Sequence, residues 1–219
     1  MGIGSSSKIG AFYGELRIMP LIVRPMLGFC AAATLILAAS PGIAQAQTLH
    51  AMDLQGHEVE RLAQAETRVV VLIFAATDCS ISNRYIPEIT KLDKELAAQG
   101  VAFWWVFPNP GDTLAVVQKH GQDFSIKTPT LIDSHQNLVR MANVTVTPEA
   151  AVFTVKDGSL HEVYHGRIDD RYIAFGQERP QAIRHELQEA IQAVLAGRPA
   201  PKPSGGPIGC SIVPVALKP

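Results

Sequence analysis

The residues most able to do chemistry are cysteines. The chain has three, Cys30, Cys79 and Cys210. Cys79 stands between the apolar run Val69-Val70-Val71-Leu72-Ile73-Phe74-Ala75 and a segment with helical spacing. Such a junction places a thiol at or just before a helix start, where unpaired N–H groups and the helix dipole favour a thiolate. A stabilised thiolate is a nucleophile, so the chemistry on offer is thiol–disulfide or peroxide chemistry. Asp78 opposes it, because a neighbouring carboxylate disfavours a second negative charge. The other reading of Cys79 is an inert cysteine buried in a core. Ser82, three residues on, can hydrogen-bond a thiolate. Cys210 lies far downstream in a Pro/Gly-rich segment and can supply the second thiol that releases a mixed disulfide.

Histidines raise a metal alternative. Thiolate and imidazole suit copper, and His161 and His165 share an even spacing that keeps them on one face of a strand. Packing or surface roles suit them as well. Arg167 opens a charged segment, Arg167-Ile168-Asp169-Asp170-Arg171, and either approaches Cys79 to favour its thiolate or joins local salt bridges. The chain has no Gly-rich phosphate loop, zinc-ligand spacing or serine-elbow motif.

These residues need elements to hold them. Leu49–Glu60 alternates loosely about a Gln55-Gly56 turn. Val69–Ala75 reads as a strand buried on both faces. Ile81, Tyr85, Ile89, Leu92 and Leu96 mark a helix over Ser80–Gln99, closed by Gly100. Val101–Phe107 is a second buried strand, with Trp104 and Trp105 pointing to opposite sides. Asp112 is expected to cap a helix reaching about His120, and Gln136–Ala142 a short one. Thr130–Ile132 reads as a strand. Ala150–Val155 and Leu160–Tyr164 form a hairpin about Asp157-Gly158. Pro180–Ala196 is a final helix with Ile183, Leu187, Ile191, Val194 and Leu195 on its apolar face. Strand–helix alternation followed by a hairpin predicts an α/β domain with a mixed central sheet flanked by helices.

The order of these pieces resembles the thioredoxin-like superfamily, in its exported, AhpC/TSA-related redoxin branch. Cys79-Ser80-Ile81-Ser82 is similar to the Cys-x-x-Cys site with serine in the second place. Pro87 stands where those proteins kink the following helix, Thr147-Pro148 where they have a cis-proline, and Gly166 near the end of the hairpin. The resemblance covers Thr48–Gly197. It implies a thioredoxin-like fold in a single domain, with Cys79 as nucleophile and Thr147-Pro148 shaping the substrate groove. Two departures matter. The peroxide-binding pattern Pro-x-x-x-Thr-x-x-Cys has Leu72 and Ala76 in its Pro and Thr places, with Thr77 one residue off. Ser82 also rules out a disulfide within the motif. Cys210 can fill that gap as resolving cysteine if the tail carries it to Cys79 in its own or another chain. The resemblance implies a thiol–disulfide oxidoreductase or thiol peroxidase with no cofactor. Its partner is a thiol or disulfide protein, or a peroxide. The alternative is a non-catalytic or copper-handling thioredoxin-like binding module.

The 219 residues are 47% hydrophobic and 18% charged, with net charge −1. That apolar content excludes a disordered chain, and the absence of basic excess argues against nucleic-acid binding. Residues 1–46 read as a secretory signal peptide, with a start at Met1, Met19 or Met26. Arg24 precedes an uncharged run, Met26–Ala39, which Ser40-Pro41-Gly42 breaks, and Ala44-Gln45-Ala46 then gives a small-x-small cleavage pattern. At about 14 residues this run falls short of the ~20 needed to cross a bilayer. Cleavage after Ala46 removes Lys8, Arg17 and Arg24 against Glu15, leaving a net charge of about −3. The expected organisation is a leader (1–46), a redoxin domain (47–197) and a Pro/Gly-rich tail (198–219) carrying Cys210. The expected location is the periplasm, with membrane contact only through the leader.

Overall fold

The structure is a computed structural model and describes residues 49–216. The expected leader, with Cys30, lies outside the described residues. In chain order the elements begin with β1 (Ala51–Met52), β2 (Glu58–Val59), β3 (Val69–Phe74), α1 (Ser80–Arg84), α2 (Ile86–Leu96), β4 (Val101–Phe107), α3 (Leu114–Asp123) and β5 (Thr130–Ile132). They continue with α4 (Asn137–Ala142), β6 (Val146–Thr147), β7 (Glu149–Lys156), β8 (Ser159–Gly166), β9 (Tyr172–Ala174), β10 (Gln177–Glu178), α5 (Glu186–Leu195) and β11 (Cys210–Ser211).

Seven strands form one sheet in the order β2-β1-β5-β4-β3-β7-β8. β3, β4 and β5 run parallel, and β7, β8, β1 and β2 extend the sheet by antiparallel pairing. Every residue of β3 is buried, as its continuous apolar run requires when both faces are covered. Its side chains alternate between two cores. Val69, Val71 and Ile73 pack with Ile89 of α2, Val117 of α3 and Ile191 of α5. Val70, Leu72 and Phe74 pack with Leu138 and Ala142 of α4. Trp105 joins the first core and Trp104 lies against the second, its indole N–H donating to the Leu62 carbonyl at 3.0 Å. Among the described residues no helix is long and apolar enough to cross a membrane.

The expected helix over Ser80–Gln99 is instead two helices separated at Tyr85, with a 3-10 turn at Ala97–Gln99. Pro87 sits in the first turn of α2, the place where a residue without an N–H is tolerated; farther into a helix it would clash with the preceding turn. Asp112 does not cap α3. Thr113 holds the N-cap position, and Asp112 accepts hydrogen bonds from Thr77. α5 begins at Glu186, six residues later than expected, and Ile183 is 74% exposed instead of core. The Asp170 carboxylate explains the delay: it accepts from the backbone N–H groups of Ile183 and Arg184 and holds that stretch as a turn.

His161 and His165 do not share a face. The β7–β8 register shifts at Val152/Phe153, so His161 pairs with Thr154 and His165 with Ala151. A bulge adds one residue between them and reverses the parity that even spacing implies.

Candidate active site

Cys79 is the N-cap residue of α1, directly after β3 and the loop 75–78. That loop is held from beneath. Thr77 donates through its backbone N–H and its hydroxyl to Asp112 (3.1 and 2.6 Å), the Asn83 amide donates to the Thr77 carbonyl, and His120 bonds to Asn83. Burial pushes the Asp112 carboxyl up and the His120 imidazole down, so both tend toward neutrality beneath the loop. Thr77, the near match to the peroxide-binding threonine, therefore spends its hydroxyl on Asp112.

The Thr147–Pro148 peptide bond is cis, and the Cys79 thiol donates to the Thr147 carbonyl at 3.1 Å. The buried Glu149 carboxylate accepts from the N–H groups of Thr145 and Val146, fixing the approach to the cis bond.

Cys210 completes the group. Its sulfur lies 2.8 Å from that of Cys79, across a sequence separation of 131 residues. The tail is no loose arm. β11 pairs antiparallel with β6, Cys210 opposite Thr147 and Ser211 opposite Val146. Ile212 is buried in the second core and donates its N–H to the Thr145 carbonyl. Beyond it, the buried Gln136 carboxamide donates to the Val213 carbonyl (2.7 Å) and accepts from the Val215 N–H (3.1 Å). Asn109 accepts from the Val213 N–H. Upstream, Ser204 bonds to the buried Glu186 carboxylate. Gly209 lies so close to the cis bond that a Cβ there would overlap the Thr147 carbonyl. Gly166 plays a similar part: its φ is +150°, and a Cβ would fall 2.7 Å from Pro203.

Arg167 does not serve Cys79. Its guanidinium forms a two-point pair with Glu186 (2.7 and 2.9 Å) and a hydrogen bond to Ser204. Attraction to that buried carboxylate turns Arg167 toward the tail and makes it a fastening. Ser82 is buried near Cys79. Its hydroxyl has no fully formed hydrogen bond, and its interaction with Cys79 favours the thiolate. Thus Cys79, Ser82, Thr147, Pro148 and Cys210 come together, and Arg167 does not. Gln136, Asn109, Glu186 and Ser204 hold the tail in place, and sequence reasoning misses them because each acts across a long separation. Gly209, next to Cys210, is the one local hint of close packing.

The two thiols differ. Burial raises the Cys79 thiol, but its hydrogen bond from Cys210 and its nearness to Ser82 outweigh that and leave it below the ordinary value. Cys210 is pushed up to about 12 by burial, by its hydrogen bond to Cys79 and by the charges of Cys79 and Asp78. When one proton leaves the pair, the charge settles on Cys79, and Cys210 keeps its hydrogen as the donor.

The histidines do not gather here. Among the described residues, the His, Cys, Asp and Glu side chains close enough to share a metal are Glu88, Asp169 and His185, and Cys79 is not among them. Arg171 already lies against both Glu88 and Asp169.

The AhpC/TSA family model matches residues 43–163, a stretch that includes Cys79 and the cis-proline and ends before Cys210. No curated protein matches the chain. Among solved structures, a hypothetical protein from Sinorhizobium meliloti 1021 is 22% identical, the match covering 74% of this chain and 87% of that one with a TM-score of 0.58. An uncharacterized conserved protein from Geobacillus kaustophilus is also 22% identical, over 78% of this chain and 92% of that one, again with a TM-score of 0.58. The exposed lipoprotein thioredoxin of Streptococcus pneumoniae strain TIGR4 is 20% identical over 67% of this chain and 96% of that one, with a TM-score of 0.47. The fold is thioredoxin-like, with the mixed sheet and flanking helices that the strand order shows. The family match spans more than half of the sequence, and the chain belongs to the AhpC/TSA family.

Proposed function

We propose that this protein is a two-thiol redox enzyme, a thiol–disulfide oxidoreductase in which Cys79 and Cys210 alternate between dithiol and disulfide. The observation that carries this reading is the 2.8 Å approach of the two sulfurs beside the cis-proline. A disulfide of about 2.05 Å needs only a small further approach. With the tail lifted, the Cys79 thiolate attacks a sulfur of the oxidant disulfide and expels one thiolate. Cys210 then attacks the Cys79 sulfur, expels the second thiolate and closes the Cys79–Cys210 bond. Two electrons pass to the oxidant, and the two thiol protons neutralise its leaving thiolates. Ser82 stabilises the Cys79 thiolate, and the cis-proline loop aligns the strand that carries the second sulfur. Disulfide exchange is favoured over peroxide reduction because Leu72 and Ala76 occupy the peroxide-binding positions and Thr77 is bonded to Asp112.

The experiment is steady-state reduction of a small disulfide such as oxidised glutathione, with a dithiol as electron source. Cys79→Ser should abolish turnover. Cys210→Ser, mixed with oxidised glutathione before any dithiol is added, should stop at the first mixed disulfide, which mass spectrometry then finds on Cys79. Turnover that survives Cys79→Ser, or a Cys210→Ser protein that forms no adduct on Cys79, contradicts the reading. The leader pattern supports a location beyond the inner membrane. Recovery of a periplasmic chain beginning at Gln47 supports export, and a full-length cytoplasmic chain contradicts it.

A further inference from the structure

Asp78 stands next to the nucleophile, and no step of the disulfide exchange uses it. The Cys79 N–H closes a turn on the Ala76 carbonyl at 3.1 Å, with Thr77 and Asp78 at its centre. The two side chains part company there. Thr77 is half-buried and spends its hydroxyl on Asp112, whereas Asp78 is exposed. Among the described residues Asp78 is in no ion pair. Arg84 of α1 pairs with Glu178 at 3.1 Å, and Arg167 pairs with Glu186, so neither neutralises it. Besides the charge of Cys79, the charge that bears on the Cys210 sulfur is that of Asp78, and among the described residues no cation joins it there. For the thiol alone this is a cost, since a neighbouring carboxylate disfavours the thiolate. For an incoming molecule the sign depends on what it carries. Adjacent Cα atoms are about 3.8 Å apart, well inside the Debye length of ~8 Å at physiological salt. A charged group beside the sulfur that Cys79 attacks therefore feels Asp78.

We propose that Asp78 is a specificity-determining residue: the site prefers disulfides flanked by positive charge, such as polypeptide disulfides with Lys or Arg beside the cysteine, over anionic ones. This rests on the reading above, in which Cys79 meets the oxidant disulfide. Once β11 lifts, the Cys79 thiolate attacks the substrate sulfur. The substrate S–S bond breaks, a bond from Cys79 to that sulfur forms, and one substrate thiolate leaves and takes up the proton that Cys79 gave to solvent. Cys210 then attacks Cys79, closes the pair and expels the second substrate thiolate, which takes up the proton of Cys210. The substrate gains two electrons and the cysteine pair loses two. Throughout the first attack an ammonium or guanidinium group beside the reacting sulfur lies against the Asp78 carboxylate. That attraction raises the local concentration of cationic disulfides and the rate of productive encounter, and it works against carboxylate-bearing ones. Asp78 thus weakens the thiolate in general and favours one class of substrate in particular.

The test uses small disulfides of similar size: cystamine, which is cationic, hydroxyethyl disulfide, which is neutral, and dithiodipropionate, which is anionic. The reduced full-length protein is mixed with each in excess and quenched with acid, and mass spectrometry gives the second-order rate constant for loss of the Cys79 thiol. The readout is the rate with cystamine divided by the rate with dithiodipropionate, a ratio from which any change in the reactivity of the thiol itself cancels. Wild type should exceed Asp78→Asn in this ratio by roughly tenfold at low salt, with the neutral disulfide between the two. The excess should shrink at about 1 M salt, where the Debye length is ~3 Å. Asp78→Glu, which keeps the charge, should keep the preference. Equal ratios in wild type and Asp78→Asn, or an excess that salt leaves untouched, overturn the proposal while leaving the two-thiol cycle standing. Peptide mapping of the products separates the two claims. A wild-type protein that ends with a substrate adduct on Cys79 and no Cys79–Cys210 disulfide contradicts the two-thiol reading, and the ratio still decides the part played by Asp78.

Discussion

The Cys79 thiol shows how far residue-level reasoning reaches. Its place after a buried apolar run and before a helical period is readable in the sequence, and so are Ser82 and the Thr147-Pro148 pair. Its partner's position is not. Cys210 reaches it through a two-residue strand in a Pro/Gly-rich segment whose composition suggests a free arm. Nor does any local pattern announce that Arg167 will turn toward Glu186, because a buried carboxylate nineteen residues away decides it. The asymmetry of the pair gives a prediction at this scale. Cys79 should ionise below the ordinary thiol value, so its thiolate ultraviolet absorbance should rise at lower pH than that of a free cysteine. Cys210→Ala removes the largest of the hydrogen bonds that lower it and should move the midpoint to higher pH. Ser82→Ala should act in the same direction. A midpoint in Cys210→Ala that stays put or falls would mean that the pair does not share its proton as described.

At the scale of elements, the strap formed by β11 and its flanks is what converts a one-thiol motif into a two-thiol site. Gly209 is the tightest point. In Gly209→Ala the new methyl meets the Thr147 carbonyl, so the strand must lift and separate the sulfurs. The equilibrium constant for forming the internal disulfide against glutathione should fall by roughly tenfold, about 1.4 kcal/mol. A constant equal to wild type would show that β11 does not need this close seat. Ile212 anchors the same strap in the second core. Ile212→Ala should cost about 2–5 kcal/mol in chemical denaturation, and a change within about 0.5 kcal/mol would show that the tail adds nothing to the fold. Elements with long, regular patterns were legible: β3, β4 and the β7–β8 hairpin lie where the apolar runs and Asp157-Gly158 put them. The failures have identifiable competitors. Pro87 divides a helical period, Asp170 delays α5, and the bulge in β8 separates two histidines that simple alternation would pair.

For the whole molecule, the site stands where the core and the Pro/Gly-rich tail segment around Cys210 meet. The sheet fixes Cys79 from one side of the sequence, and the tail returns across 131 residues to cover it. Closing a loop of that length constrains the unfolded chain, so oxidation should stabilise the protein by about 2–5 kcal/mol in the chain-entropy picture. The melting temperature of the oxidised form should therefore exceed that of the reduced form, and the difference should vanish in Cys210→Ser. Equal melting temperatures in wild type would contradict a bond that joins these two distant points within one chain. The central claim is that bond itself. Its most direct test is the intact mass of the air- or diamide-oxidised protein followed by nonreducing peptide mapping. The account predicts a monomer lighter by two hydrogens, resistant to alkylation, whose digest contains a Cys79 peptide joined to a Cys210 peptide. A chain that keeps both thiols alkylatable after oxidation, or that links only to a second chain, contradicts it.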